Sequence, residues 1–334
     1  MHDVCVIGAG WSGLTAAGRL QAAGLDVVVL EKARGAGGRC STRRQGGFAF
    51  DHGAQYFSAR SSAFVTAVGG WKRQGLIAAW EPRMAVFGER PSNAGTPPDE
   101  RLVAVPGMNA VLKHLAGELD RRYGWRVGAL DREENCWSIQ SADADLQIRA
   151  RYLIVTAPPR QAAELLWGLS DLAQIVADVP MSPCWALMLG FDQVLEADFD
   201  AAFDNEGPLG WLARNSSKPG RSGEAWLVHA NPDWSSRHLE HAAEEVARDL
   251  LAAFQRRVPA AASQSPSLVS AHRWRYALAP EPLQRDCLSE EPAGLVLAGD
   301  WCAGNRIEGA WSSGVAAAGQ ILAWVERKRP QAPG

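Results

Sequence analysis

Gly8-Ala9-Gly10-Trp11-Ser12-Gly13 forms a G-x-G-x-x-G run between an apolar stretch and a helical pattern, and Glu31 stands 18 residues past the last glycine. That spacing suits a dinucleotide. Gly8 permits a tight turn, Gly10 lets a pyrophosphate approach the backbone, and Gly13 lets the next helix pack closely on the sheet. The free N–H groups and partial positive charge at the helix start would hold the phosphates. Glu31 can accept both hydrogens of a ribose diol.

Directly after Glu31, "KARGAGGRCSTRR" carries Gly35, Gly37, Gly38 and Arg39 and extends the fingerprint in a manner that resembles FAD-dependent amine oxidases and hydroxylases. Arg39 can place a forked pair of donors on phosphate oxygens. FAD is long, so its flavin end needs a second strand and turn. "LVLAGDWCAGNRIEGAWSSGVAAAGQIL", residues 295–322, offers one. Asp300 follows the strand 295–298 and can accept from a ribityl hydroxyl. A helix over Gly309–Gly319 would aim its positive end at the flavin C2 carbonyl, where charge gathers on reduction.

The elements that must position these groups are legible in outline. Val4–Ile7 and Val27–Leu30 read as strands around a helix from Leu14 to Ala23 closed by Gly24, so the sheet should start parallel. The stretch 82–100 reads as a Pro/Gly-rich connection. Met108, Val111, Leu112, Leu115 and Leu119 share a helical face, "WSIQS" and "RYLIVTAPP" read as strands, and so do "CWALMLGF" and "EAWLVHA". Leu239, Val246, Leu250 and Phe254 mark an amphipathic helix. The expected fold class is α/β (α+β overall), a Rossmann-type FAD-binding domain over 1–65, 101–167 and 280–334. A mixed-sheet substrate domain, 66–100 and 168–279, interrupts it.

Composition sets the limits. The 334 residues are 47% hydrophobic and 21% charged with formal net charge -3, those of a globular chain with no general attraction to nucleic acid or acidic membranes. No window approaches the ~20 uninterrupted apolar residues of a spanning helix. The opening apolar stretch lacks a basic leader and is broken by glycines, so it does not read as a signal peptide. Six scattered cysteines show no Cys-x-x-Cys pair and no zinc spacing, so a reduced cytoplasmic chain without a metal site is expected.

Over essentially its whole length the chain resembles the renalases, particularly the small bacterial ones. The stretches that carry this are "DHGAQYFSAR", "PLGWLARNSSKPGR", "HRWRYA" and "GDWCAGNRIEGAWSSG". The resemblance implies noncovalent FAD and oxidation of 2- and 6-dihydro isomers of NAD(P)H to NAD(P)+, with O2 reduced to hydrogen peroxide. It implies FAD contacts from Ser12, Arg39, Gln55 and Tyr56, with Asp300 and Ile307 at the ribityl and flavin region. Lys32, Gly38, Ala54 and Val127 are further expected FAD contacts.

Hydride transfer from a dihydronicotinamide ring needs stacking and orientation, with no proton taken from carbon. Tyr56, Phe57, Trp211, Trp301 and Trp311 offer flat surfaces, with Tyr56, Trp301 and His272 read as the reaction-centre residues. His272 and Arg275 offer donors to a carboxamide or ribose, and Arg60 a cation for substrate phosphate. Trp11 and Trp274 read as packing, and Cys302 as an inert buried thiol. The five lysines, Lys32, Lys72, Lys113, Lys218 and Lys328, fall in stretches not expected over the flavin, which weighs against the lysine-assisted chemistry of amine oxidases.

Overall fold

The computed structural model describes residues 1–89 and 99–328. The chain divides into two compact units: Met1–Gly38, Leu112–Pro180 and Ala279–Gly334 make the first, Arg39–Val111 and Met181–Leu278 the second.

The first unit is built on a parallel core. Its strands run in the order Leu288–Glu290, Leu295–Leu297, Gln147–Val155, His2–Ile7, Val27–Glu31, Asp120–Tyr123. All but the first are parallel, and the hairpin strands Val127–Glu133 and Cys136–Ser141 add antiparallel pairing. Val4–Val6, Val28–Val29 and Leu153–Val155 are fully buried, as strands covered on both faces must be. In register, Ile7 lies beside Leu30 and Val155, and Val155 beside Leu297. The carboxyl ends of these strands therefore share one sheet edge, where ligands of open α/β sheets bind. The helix Trp11–Ala22 leaves that edge after the first strand, and the helix Ile307–Arg327 packs beside it.

The second unit carries a six-stranded sheet ordered Leu268–Leu278, Ser182–Phe191, Glu224–Ala230, Leu209–Arg214, Ala201–Asp204, Met84–Phe87. Only the last pair is parallel. Alternation splits its two faces: Leu187, Leu189 and Phe191 join Val246, Leu250 and Phe254 of the helix Ala243–Arg257, while Met188 faces Phe50, Ala225 and Leu227.

Most expected strands and helices form, with differences at their ends. The Met108–Leu119 face yields only a short helix, Ala110–Leu115, and Leu239 lies ahead of the helix it was grouped with. The stretch read as a loop over 82–100 holds the strand Met84–Phe87; its residues 90–98 lie outside the described residues. The last helix opens at Ile307 rather than Gly309, and Asp300 begins a separate short helix, Asp300–Ala303. The units also divide at different places from the domain boundaries read from sequence. Residues 39–65 join the second unit because Ala54 N–H donates to the Arg39 carbonyl, Phe57 pairs with Leu102, and Asp51 holds Arg221.

Candidate functional site

In the first unit the glycine run stands where the sequence places it. Gly8 has φ 110°, a conformation side chains avoid, and a Cβ there would overlap the Thr156 hydroxyl. A Cβ on Gly13 would overlap the Gly8 carbonyl. Gly10 is different: nothing lies within 4 Å of the position its Cβ would take, so this point of the backbone is open to a ligand. Gly10 caps the helix with no side-chain hydrogen bond, so no cap side chain covers the helix start. These features fit a dinucleotide pyrophosphate.

Glu31 ends its strand and is buried, with one carboxylate oxygen accepting from Ala9 N–H and the other from Ala33 N–H, each at 2.8 Å. It thus shapes the loop as well as offering its remaining lone pairs to a ribose. Gly38, at φ 52°, lies against Gly10. Ser12 spends its hydroxyl on the Ala310 carbonyl. Lys32 reaches Gln161 Oε1 at 3.2 Å, and Val127 opens a hairpin strand. Asp300 and Ile307 begin the two C-terminal helices, both largely buried.

Trp301 offers no face to a substrate. It is fully buried and donates from Nε1 to the Ala157 carbonyl, so its role is to pack the turn that carries Asp300. Trp311 is buried under the Arg19 guanidinium. Cys302 is buried, and desolvation raises its thiol far above the thiolate range. That is an inert thiol.

Three of the resembling stretches meet inside the second unit. Tyr56 lies 5.6 Å from Trp211 and 6.2 Å from Trp80, ring centre to ring centre. Phe57 sits apart, buried against Phe64. Behind the aromatic group lies an ion cluster shielded from water. Asp51 pairs with Arg221 at 2.7 Å and with Lys218 at 3.6 Å, all three side chains 1% exposed or less. Lys218 Nζ donates to Gln55 Oε1 at 3.1 Å and Asn215 Oδ1 at 3.0 Å, while Gln55 Nε2 donates to the Asp51 and Gly53 carbonyls. Burial pushes Lys218 down to about 8, opposed by Asp51. Burial alone would raise Asp51, but Lys218 and Arg221, helped by Met108 N–H and the Thr42 hydroxyl, hold it below its usual value. The Gln55 amide is thus held on one side by its own loop and on the other by Lys218.

A histidine group forms the second cluster. His52 lies 4.9 Å from His272 and 5.0 Å from Trp274, and its carbonyl accepts from Trp274 Nε1 at 2.8 Å and from His229 Nε2 at 3.2 Å. Arg43 reaches His272 Nδ1 at 3.1 Å. A guanidinium only donates, so Nδ1 accepts and the His272 proton sits on Nε2. Burial keeps all three rings neutral: His52 falls to about 3, aided by His272 and Arg43; His272 to about 4, aided by Arg43; His229 to about 4.

Arg275 does not join His272. The two lie three apart on a strand and so face opposite ways; Arg275 forks onto Glu240 beside Arg273 on the outer face. Arg60 is likewise exposed and paired with Asp99. Arg39 donates to the Ala277 carbonyl, and the neighbouring Ala54 N–H returns to the Arg39 carbonyl. The sequence pattern sets Lys218 outside the site and gives no role to Asp51, Trp80 or Arg101. Lys218 and Asp51 stand in stretches that carry the renalase resemblance, but nothing in their spacing signals that they meet.

A family model for flavin containing amine oxidoreductases matches residues 66–322, and one for NAD(P)-binding Rossmann-like domains matches 6–67. The chain belongs to the flavin-containing amine oxidoreductase family. Its cofactor is FAD, in keeping with the open glycine edge of the first unit. A zeta-carotene-forming phytoene desaturase of Myxococcus xanthus is 50% identical over 50 residues, 15% of this chain and 10% of that protein. The match thus spans about a tenth of that relative's length. Cyclohexylamine oxidase from Brevibacterium oxydans IH-35A superposes with TM-score 0.74 at 16% identity, over 98% of this chain and 100% of that one. A redesigned putrescine oxidase gives 0.72 at 15% identity, over 96% and 99%. At such identities the likeness is one of fold. Among the described residues no group of His, Cys, Asp and Glu could hold a metal ion, and no helix is long and apolar enough to cross a membrane.

Proposed function

We propose that this family member oxidises 2- and 6-dihydro isomers of NAD(P)H to NAD(P)+. The balance is one dihydronicotinamide, one O2 and one proton giving NAD(P)+ and hydrogen peroxide. FAD, when bound, supplies the two-electron acceptor for the hydride.

The reading rests on the histidine cluster. Hydride transfer asks for no base, and His52, His229 and His272 are neutral and weakly basic, suited to hydrogen bonding rather than proton abstraction. His272, with Nδ1 held by Arg43, keeps Nε2–H as a fixed donor of the kind a ring carboxamide accepts. Tyr56 and Trp211 supply flat surfaces for the ring. FAD contacts from Arg39, Gln55, Tyr56, Asp300 and Ile307, and a cytoplasmic location, remain part of this proposal.

Amine oxidation is the second reading. The family's description and the shared fold of cyclohexylamine oxidase favour it. Steady-state oxygen uptake separates the two: peroxide and NAD(P)+ should form from the dihydro isomers, and none from primary amines. Uptake with amines alone would overturn the proposal.

A further inference from the structure

The aromatic group of the second unit already holds two cations of its own. The Arg101 guanidinium lies over the Tyr56 ring at 5.5 Å and Lys218 Nζ over the Trp80 ring at 5.3 Å. One face of the Tyr56 ring and one of the Trp80 ring, where an ammonium ion would be attracted by its charge, are thus taken by protein cations. Asp51 balances Arg221 and is shared with Lys218, which leaves Arg101 without an ion-pair partner among the described residues. The surplus charge in the cluster is positive.

Two donors in the same cluster have nothing to donate to. Trp211 Nε1 and Arg101 Nε are both shielded from water and have no hydrogen-bond partner among the described residues. Trp211 is 7% exposed, and both residues lie against Tyr56. Trp80 differs, since its Nε1 donates to Ser217 Oγ at 3.0 Å. Buried donors are rarely left unpaired, because each such group forfeits its hydrogen bonds to water. Both orphans are donors, so the missing partner is an acceptor.

We propose that Arg101 and Trp211 hold an anionic oxygen group of the substrate, a carboxylate or a phosphate, against Tyr56, and that this cluster turns away primary ammonium ions. Lys218 adds charge to the subsite from behind, its own hydrogens engaged by Gln55 and Asn215. The inference deepens the functional reading, on which it rests for the second unit being the substrate side. It makes Arg101 and Trp211 specificity-determining residues.

The test is equilibrium binding of benzoate, phenyl phosphate and benzylammonium to the FAD-loaded full chain, followed by tryptophan fluorescence and by calorimetry. Benzoate or phenyl phosphate should bind at least tenfold tighter than benzylammonium, and the tighter of the two identifies the group as carboxylate or phosphate. Arg101→Gln should weaken that anion at least tenfold, Arg101→Lys less, and Trp211→Phe, which keeps a ring and loses the N–H, severalfold. Should Arg101→Gln fail to fold, the Lys and Phe variants carry the test. Benzylammonium binding as tightly as benzoate, no binding by either anion, or unchanged anion affinity in these variants would overturn the proposal. An Arg101-dependent anion site in a protein that dihydronicotinamides fail to reduce would leave this inference standing and remove the functional one.

Discussion

Ser12 Oγ donates to the Ala310 carbonyl at 2.7 Å, tying the first helix to the last across 298 positions of the chain. Four residues further along the last helix, a Cβ on Gly314 would overlap the Ser12 carbonyl. Close approach of these helices is what brings the glycine run and the 299–314 stretch into one unit. Gly314→Ala should therefore cost about 1–3 kcal/mol, as overpacking does, whereas Ser12→Ala should cost about 1 kcal/mol. Thermal unfolding measures both, and a Gly314 variant as stable as the parent would contradict the packing described.

Gly10 separates cofactor binding from folding. Its φ of −92° and the empty space around it admit a methyl group without strain. Gly10→Ala should keep the unfolding midpoint of the apoprotein while lowering flavin content, read as the ratio of absorbance at 450 and 280 nm, because the methyl stands where the pyrophosphate approaches. Gly13→Ala should lower both.

Removing the carboxylate from the buried ion cluster leaves Lys218 and Arg221 facing each other without their counter-charge. Asp51→Asn should destabilise the protein by about 3–5 kcal/mol, the range for breaking a buried ion pair at one end. The urea midpoint gives the value. A loss under about 1 kcal/mol would mean that water reaches the cluster.

Acid should destabilise the fold before its carboxylates titrate. His52 is 4% exposed and titrates at about 3 in the folded chain, against about 6.5 when unfolded. Between those values the unfolded chain binds a proton that the folded chain refuses. The stability present above pH 6.5 is thus lost as pH falls towards 3, by about 2 kcal/mol at pH 5 from His52. His229 and His272 act in the same direction. The urea midpoint at pH 7.5 and 5 should show the drop, and His52→Asn should flatten it; an equal drop in the variant would exclude His52 as its source.

What could be read from the chain was local. Gly8–Gly13 and Glu31 are separated by one strand–helix–strand unit, and apolar runs such as Val27–Leu30 leave little choice but a buried strand. The ion cluster joins residues 170 positions apart, Asp51 and Arg221, and no periodicity encodes such a meeting. "HRWRYA" alternates, and strand period alone sets His272 and Trp274 on one face and Arg273 and Arg275 on the other. Trp301, expected as a flat surface near the flavin, instead fills the core behind Asp300 with its indole.

The central claim is tested most directly by anaerobic titration of the purified, FAD-loaded protein followed at 450 nm. One equivalent of 2- or 6-dihydro-NAD(P) should bleach one flavin, with cyclohexylamine, putrescine and ordinary 4-dihydro NADH leaving the spectrum almost unchanged. Bleaching by the amines alone, or by none of these compounds, would contradict the account.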